Sequence, residues 1–326
     1  MKAKKEYILL AIVIIAVSLY LFSRNENKTH YQLPDIPVID KKDITKIEIS
    51  KADTAVILNK TDSKWLILPE GYPADTSKVE SMLDVIEEFE LETLVSEQKS
   101  DHLFDLTDDK KSTIKVWSDD TLKLDFEMGR PAPSWNHTFV RMADDIRVYH
   151  AKGNFKSKFD FTVDTLRDKT VLSFDKNEIE GMEIIKGKET LVLAKKTTTP
   201  EPTDQTEGND NPPAAPPAPK IAWETPDGQH ADESVINGML SALTKLKCER
   251  YSDEQKKDSF TNPVYTVKMK GAQEYSLALF EKTDSEDKSR PATSSENDYP
   301  FLLSDSQADG IMKGTDEIIE KKVISN

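Results

Sequence analysis

The apolar pattern opens with a run from Ile8 to Phe22, preceded by Lys2, Lys4 and Lys5. Counted from Tyr7 to Ser23 it is about 17 residues, the short limit for a helix that crosses a bilayer. It predicts a single transmembrane helix within residues 1–24, an anchor carried by Ile8, Leu9, Ile12, Ile15, Leu19 and Phe22. The leading lysines favour a cytoplasmic N-terminus, and Tyr7 and Tyr20 suit the interfaces, so the chain beyond about Arg24 is expected outside the cytoplasm. The competing reading is a cleaved signal peptide with its small residues at Ala16 and Ser18. Against it, Leu19 to Phe22 stays apolar past that cut. No second run of spanning length follows, so the chain is not expected to be a channel or transporter by itself.

Residues 25–42 are polar, carry Pro34 and Pro37, and read as an extended stalk. The pattern then becomes regular. Ile44, Ile47 and Ile49, then Thr54 to Leu58, then Lys64 to Leu68 are short strand-like segments separated by Lys, Asp and Asn turns. Ala74 to Glu80 reads as a Ser/Thr capping-box start, after which Val79, Met82, Leu83, Ile86 and Phe89 recur at helical spacing. Strand-like alternation returns over Thr113–Trp117, Leu122–Met128, His137–Met142 and Ile146–Tyr149.

The whole unit occurs twice. Ile44 to Ile49 corresponds to Ile179 to Ile184, Ala55–Leu58 to Thr190–Leu193, Trp65 to Trp223, and Val116 to Val267. Gly71 to Thr76 before the first helix corresponds to Gly228 to Glu233 before the second, whose stripe is Val235, Ile236, Met239, Leu240, Leu243 and Leu246. Toward the C-terminus the match fades, with Tyr299–Leu303 expected as the last strand and Gly310–Lys313 as its neighbour. The expected fold is therefore α+β: an N-terminal anchor, then strand-rich repeats at 43–174 and 175–326, each with one amphipathic helix. Residues 197–219, crowded with proline and lacking aromatic and branched aliphatic side chains, read as a disordered hairpin-loop insertion inside the second repeat.

Composition narrows the function. With Asp+Glu 59 against Lys+Arg 44 the net charge is -15, so nucleic acid is not an expected partner. One cysteine forms no internal disulfide, and five histidines with that cysteine make no zinc cage, so no metal is expected. The 11 glycines build no phosphate loop, so any ATPase must be a separate chain.

The N-terminal span, the two strand–Trp–Ala-Asp–helix units and the joining segment Thr165-Leu166-Arg167-Asp168-Lys169 together resemble a bacterial family of unknown function, numbered 4340. Trp65, Ala74-Asp75-Thr76, Gly129 and Leu166 to Lys169 carry the resemblance by their order, over nearly all of the chain after the stalk. What the resemblance implies is a protein anchored in the bacterial cytoplasmic membrane, with no catalytic activity or cofactor, that accompanies ABC transporters related to the gliding-motility type. The function expected is thus a non-enzymatic extracytoplasmic accessory protein contacting an ABC permease and its ATPase. The alternative is a binding module that holds a cell-envelope glycan or lipid. The second copy departs from the pattern at Glu233 and at the Pro-rich insertion.

Candidate chemistry is sparse. His102, His137, His150 and His230 are scattered singly and read as strand or surface residues. Cys248 reads as a half-buried structural thiol. The acid pairs Asp108-Asp109, Asp119-Asp120 and Asp144-Asp145 lie between strand-like runs and read as turns. Trp65 and Trp223 read as core anchors. The most individual stretch is Gly129 to Trp135, a Pro-rich loop. There Arg130, Pro131, Pro133 and Trp135 form a candidate partner-contact surface, because Arg and Trp dominate interface hot spots. The competing reading folds Trp135 over the sheet.

Overall fold

The computed structural model describes residue 10 and residues 12–20, 31–198, 220–282, 284 and 286–320. Ile8, Leu9 and Phe22 of the expected anchor lie outside the described residues. Ile12, Ile15 and Leu19 lie in helix α1 (12–20) with their side chains exposed. Among the described residues no helix is long and apolar enough to cross a membrane.

The remainder divides into two units that meet at Arg167 and Asp168. The boundary falls earlier than the sequence pattern places it because Val171, Leu172 and Phe174 are buried in the second unit's core.

The first unit contains β1 (Lys46–Lys51), β2 (Thr54–Thr61), β3 (Lys64–Leu68), β4 (Tyr72–Pro73), α2 (Thr76–Glu87), β5 (Leu91–Ser96) and α3 (Asp101–Phe104). Then follow β6 (Ser112–Ser118), β7 (Thr121–Pro131), β8 (His137–Met142), β9 (Val148–Lys152), α4 (Lys156–Phe159) and α5 (Val163–Leu166). The strands form one nine-stranded antiparallel sheet in the order β4-β3-β2-β1-β6-β7-β8-β9-β5. Alternation explains its first face. Ile47 and Ile49, Val56 and Leu58, Trp65 and Ile67, Ile114 and Val116, and Phe126 and Met128 point the same way and bury against Val79, Met82, Leu83 and Ile86 of α2. The expected Ser/Thr cap of α2 is corrected: Asp75 is the N-cap, its carboxylate accepting from the Ser77 and Lys78 amides. Residues 31–40, expected as part of an extended stalk, lie outside regular helix or strand, with Leu33 and Ile36 packed on this core and Ile39 buried.

The second unit contains β10 (Thr170–Leu172), β11 (Gly181–Lys186), β12 (Glu189–Thr198), β13 (Lys220–Glu224), α6 (Glu233–Leu243), β14 (Leu246–Lys247) and β15 (Arg250–Tyr251). It ends with β16 (Tyr265–Lys270), β17 (Glu274–Leu279), β18 (Ser289–Ser294), β19 (Asn297–Ser304), α7 (Asp305–Ile311) and α8 (Thr315–Ile318). Its eight-stranded sheet has the order β13-β12-β11-β16-β17-β18-β19-β15, while β10 pairs with β14 apart from it. Asp232 caps α6 through the Ser234 and Val235 amides. That explains why Glu233 is tolerated: it occupies the first helical turn, and the capping aspartate just before it is kept. Trp65 and Trp223 each sit in the core of their own unit. Cys248 is buried, not half-buried. Strands β12 and β13 pair antiparallel, with Ala194 opposite Glu224, so the Pro-rich segment joins two strands of one hairpin. The expectation of disorder falls mostly on residues 199–219, outside the described residues. Tyr299–Leu303 lies in the last strand as expected. Gly310–Lys313 is corrected from a strand to the end of α7 and its exit, and the Ser304–Gln307 capping box starts that helix.

Candidate functional site

The candidate stretch is in part strand. Gly129, Arg130 and Pro131 complete β7, and the chain reverses over Ala132–Trp135, where the Trp135 amide donates to the Ala132 carbonyl at 2.9 Å. Pro131 ends the strand, where its missing N–H costs least. Trp135 has φ 59° and remains 68% exposed. Left-handed backbone suits glycine or a short polar residue, as at Asp62, Asp105, Asp119 and Asn262. A bulky aromatic held there with most of its surface in solvent carries backbone strain that its partial packing does no more than offset. The reading in which Trp135 folds over the sheet is therefore set aside.

The base of this tip is built on the sheet's second face, away from α2. Leu106, Ala132, Phe139 and Val148 form a small separate core with Val95 and Phe104. A register shift between Met128 and Pro131 turns β7. Simple alternation from Met128 would send Arg130 toward α2. With the bulge, its guanidinium lies 5.1 Å from the Phe139 ring centroid and Nε donates to the Leu103 carbonyl at 3.0 Å. Gly129 is required here, because a Cβ at this position would collide with the Phe104 carbonyl oxygen. The helix α3 thus lies directly on the strand, and its Leu103 is 65% exposed. Trp135 and Leu103 are joined to the same arginine, one through the chain and one through a hydrogen bond.

Charges pin α3 from its other side. Arg141, 8% exposed, bonds Asp101 of α3 at 2.5 Å and Glu127 of β7 at 2.5 Å. Lys111 reaches the other Glu127 oxygen at 2.7 Å and Asp108 at 2.6 Å. Hydrogen bonds that Lys111 donates to Asp108 and Glu127 raise its pKa. Pattern reading did not find this network, since its members are brought together only by the β6–β7–β8 pairing.

The histidines are corrected in part. His137 and His150 are not isolated: the rings stack with centroids 4.9 Å apart. Phe139 pairs with His150 and His137 with Lys152, which makes the two histidines diagonal neighbours on one face. His137 Nε2 lies 2.6 Å from Glu92, and its Nδ1 lies 3.3 Å from the Ser134 hydroxyl. Glu92 favours the tautomer with the proton on Nε2, which leaves Nδ1 to accept from Ser134 and steadies the turn that carries Trp135. Burial, then the neighbouring His137, lowers the His150 pKa. Among the described residues no group of His, Cys, Asp and Glu is placed to hold a metal ion. The three acid pairs fall at turns, as expected. Asp145 is more than a turn residue: burial opposes its ionisation, but hydrogen bonds from Arg147 and Tyr149 prevail and lower its pKa to about 2.

The geometry defines an antiparallel-sheet α+β protein that presents an exposed aromatic in left-handed backbone at a hairpin tip. The chain belongs to the family described as Domain of unknown function (DUF4340), whose model matches residues 65–263. The matched region begins at Trp65 and includes the whole tip and the Leu166–Lys169 junction. No curated protein and no solved structure matches the chain.

Proposed function

We propose that this protein is a membrane-anchored, extracytoplasmic, non-enzymatic accessory protein that binds a protein partner through the β7–β8 tip. The partner is an ABC-type permease with its separate ATPase. The observation that carries the binding role is Trp135: exposed, in left-handed backbone, and mounted beside Arg130 on a base fixed by Gly129, Phe139 and the Arg141 network. Trp and Arg supply large contact energy at protein interfaces, and a rigid base lowers the entropy cost of binding. The partner class rests on the resemblance. The common strand order of the two sheets and the paired aspartate caps support reading the units as tandem copies. Only the first copy carries a tryptophan on its β7-type hairpin, so the copies divide labour, with the first holding the partner.

The test is a pull-down of tagged full-length protein from gently solubilised native membranes, with the Leu19→Arg variant as the anchor-disrupted control. Recovery of an ABC permease and ATPase with the intact protein is expected. Recovery of no membrane protein would overturn the reading and favour the envelope-ligand alternative.

A further inference from the structure

At the end of β7 opposite the tip, Tyr31–Pro34, the start of β7 and the β8–β9 turn enclose an open groove of about 800 Å³. The groove is lined by Leu122–Asp125 near the start of this strand, so it lies ~20–30 Å along β7 from Pro131, where the tip begins. Leu33, Leu124 and Met142 supply apolar lining. Leu122 on the wall is 46% exposed. The charges in the lining are unbalanced. Glu97, Asp125, Asp144 and Asp145 face two cations, Lys123 and Arg147. Arg147 is already taken by Asp145 at 2.8 Å. Among the described residues Asp125 forms a long ion pair with Lys115, at 3.6 Å, which lies outside the lining. Burial raises the Asp125 pKa, and Asp144 and Glu127 add to the rise against the pull of Lys115. A cation entering the groove would relieve that repulsion in a partly desolvated place, where charge pairing is stronger than in open water.

The position also has meaning. From Phe22 to Tyr31 the chain can extend at most ~30 Å. On the anchored reading above, on which this inference rests, the groove is tethered within that reach of the bilayer surface.

We propose that the groove receives an extended segment of a membrane partner in which a Lys or Arg is flanked by apolar side chains. The cation lies among Glu97, Asp125 and Asp144, and the apolar neighbours lie on Leu33 and Leu122. The same partner is thereby held at both ends of β7.

The test uses the full-length protein in nanodiscs of zwitterionic lipid and a fluorescent hexapeptide of alternating Leu and Lys, with the Leu/Glu peptide as comparison. Fluorescence anisotropy should show binding of the Leu/Lys peptide only. Glu97→Gln with Asp144→Asn, and separately Leu122→Asp, should each weaken it about tenfold with little change in melting temperature. Neutralising Glu189 and Glu320, in a different groove of the second unit, should leave it unchanged. Absence of Leu/Lys binding, or equal loss with the distant pair, would overturn the proposal. Alkaline carbonate extraction tests the anchor separately: release from the membrane with peptide binding intact would refute the anchored reading and not the groove.

Discussion

Replacing Trp135 with glycine separates a folding residue from a contact residue. With 68% of Trp135 exposed, about a third of a side chain that buries ~200 Å² when fully covered is withdrawn from water. At ~25 cal/mol per Å² that contact contributes roughly 1.5 kcal/mol. Glycine forfeits it but removes the left-handed backbone penalty of about 1–2 kcal/mol and adds an unfolded-state entropy cost of about 0.5–1 kcal/mol. The terms nearly cancel, and W135G should lie within about 1 kcal/mol of the parent, a shift of ~2–4 °C. Thermal melting followed by far-UV circular dichroism measures it on the full chain. Trp65→Ala, at a core position 8% exposed, should instead cost about 3–5 kcal/mol. A loss of 3 kcal/mol or more in W135G would show that Trp135 is bound into the fold, and the tip would lose its claim to be a contact surface.

Other changes test the base of the tip. Gly129→Ala must push α3 off β7, so it should raise amide exchange over residues 101–106 selectively and cost about 1–3 kcal/mol by overpacking. Arg141→Met leaves Asp101 and Glu127 without their shared cation and should cost about 2–4 kcal/mol in urea unfolding. Adding Glu127→Gln should recover part of that loss, and strict additivity would refute the network. For Asp145 the folded pKa, about 2, lies below its ordinary carboxylate value, so its stabilisation is present above pH ~4 and is lost as pH falls toward 2. Tyr149→Phe, which deletes the 2.6 Å hydrogen bond to Asp145, should shrink that acid-side loss, and an unchanged acid limb in pH-dependent melting would contradict the assignment.

The elements legible in the sequence are those whose signal is local. Ile47 and Ile49 announce β1 by alternation, and Val79, Met82, Leu83 and Ile86 announce α2 by helical spacing, because each pattern lies within one element. The second face was not legible. Phe104, Phe139 and Val148 make one small core only after β8 and β9 pair, and a four-residue helix such as α3 is too short to show a period. The same pairing brings together His137 and His150, which look solitary along the chain. Helix α7 did leave a local mark, the capping pair Ser304 and Gln307, and the apolar Ile311 and Met312 after Gly310 drew attention from it. At the candidate site, the residue types Arg130 and Trp135 were visible, but the bulge that turns Arg130 and the backbone that lifts Trp135 into solvent are properties of the folded hairpin.

The most direct test of the contact role is photo-crosslinking in living membranes, with a benzophenone amino acid placed at position 135 of the full-length protein and, as comparison, at Val192 on the second unit's sheet, which is 45% exposed. A discrete crosslinked product from position 135, identified by mass spectrometry as a membrane permease and absent from position 192, is the result this account predicts. No product at 135, or the same products from both positions, would contradict it.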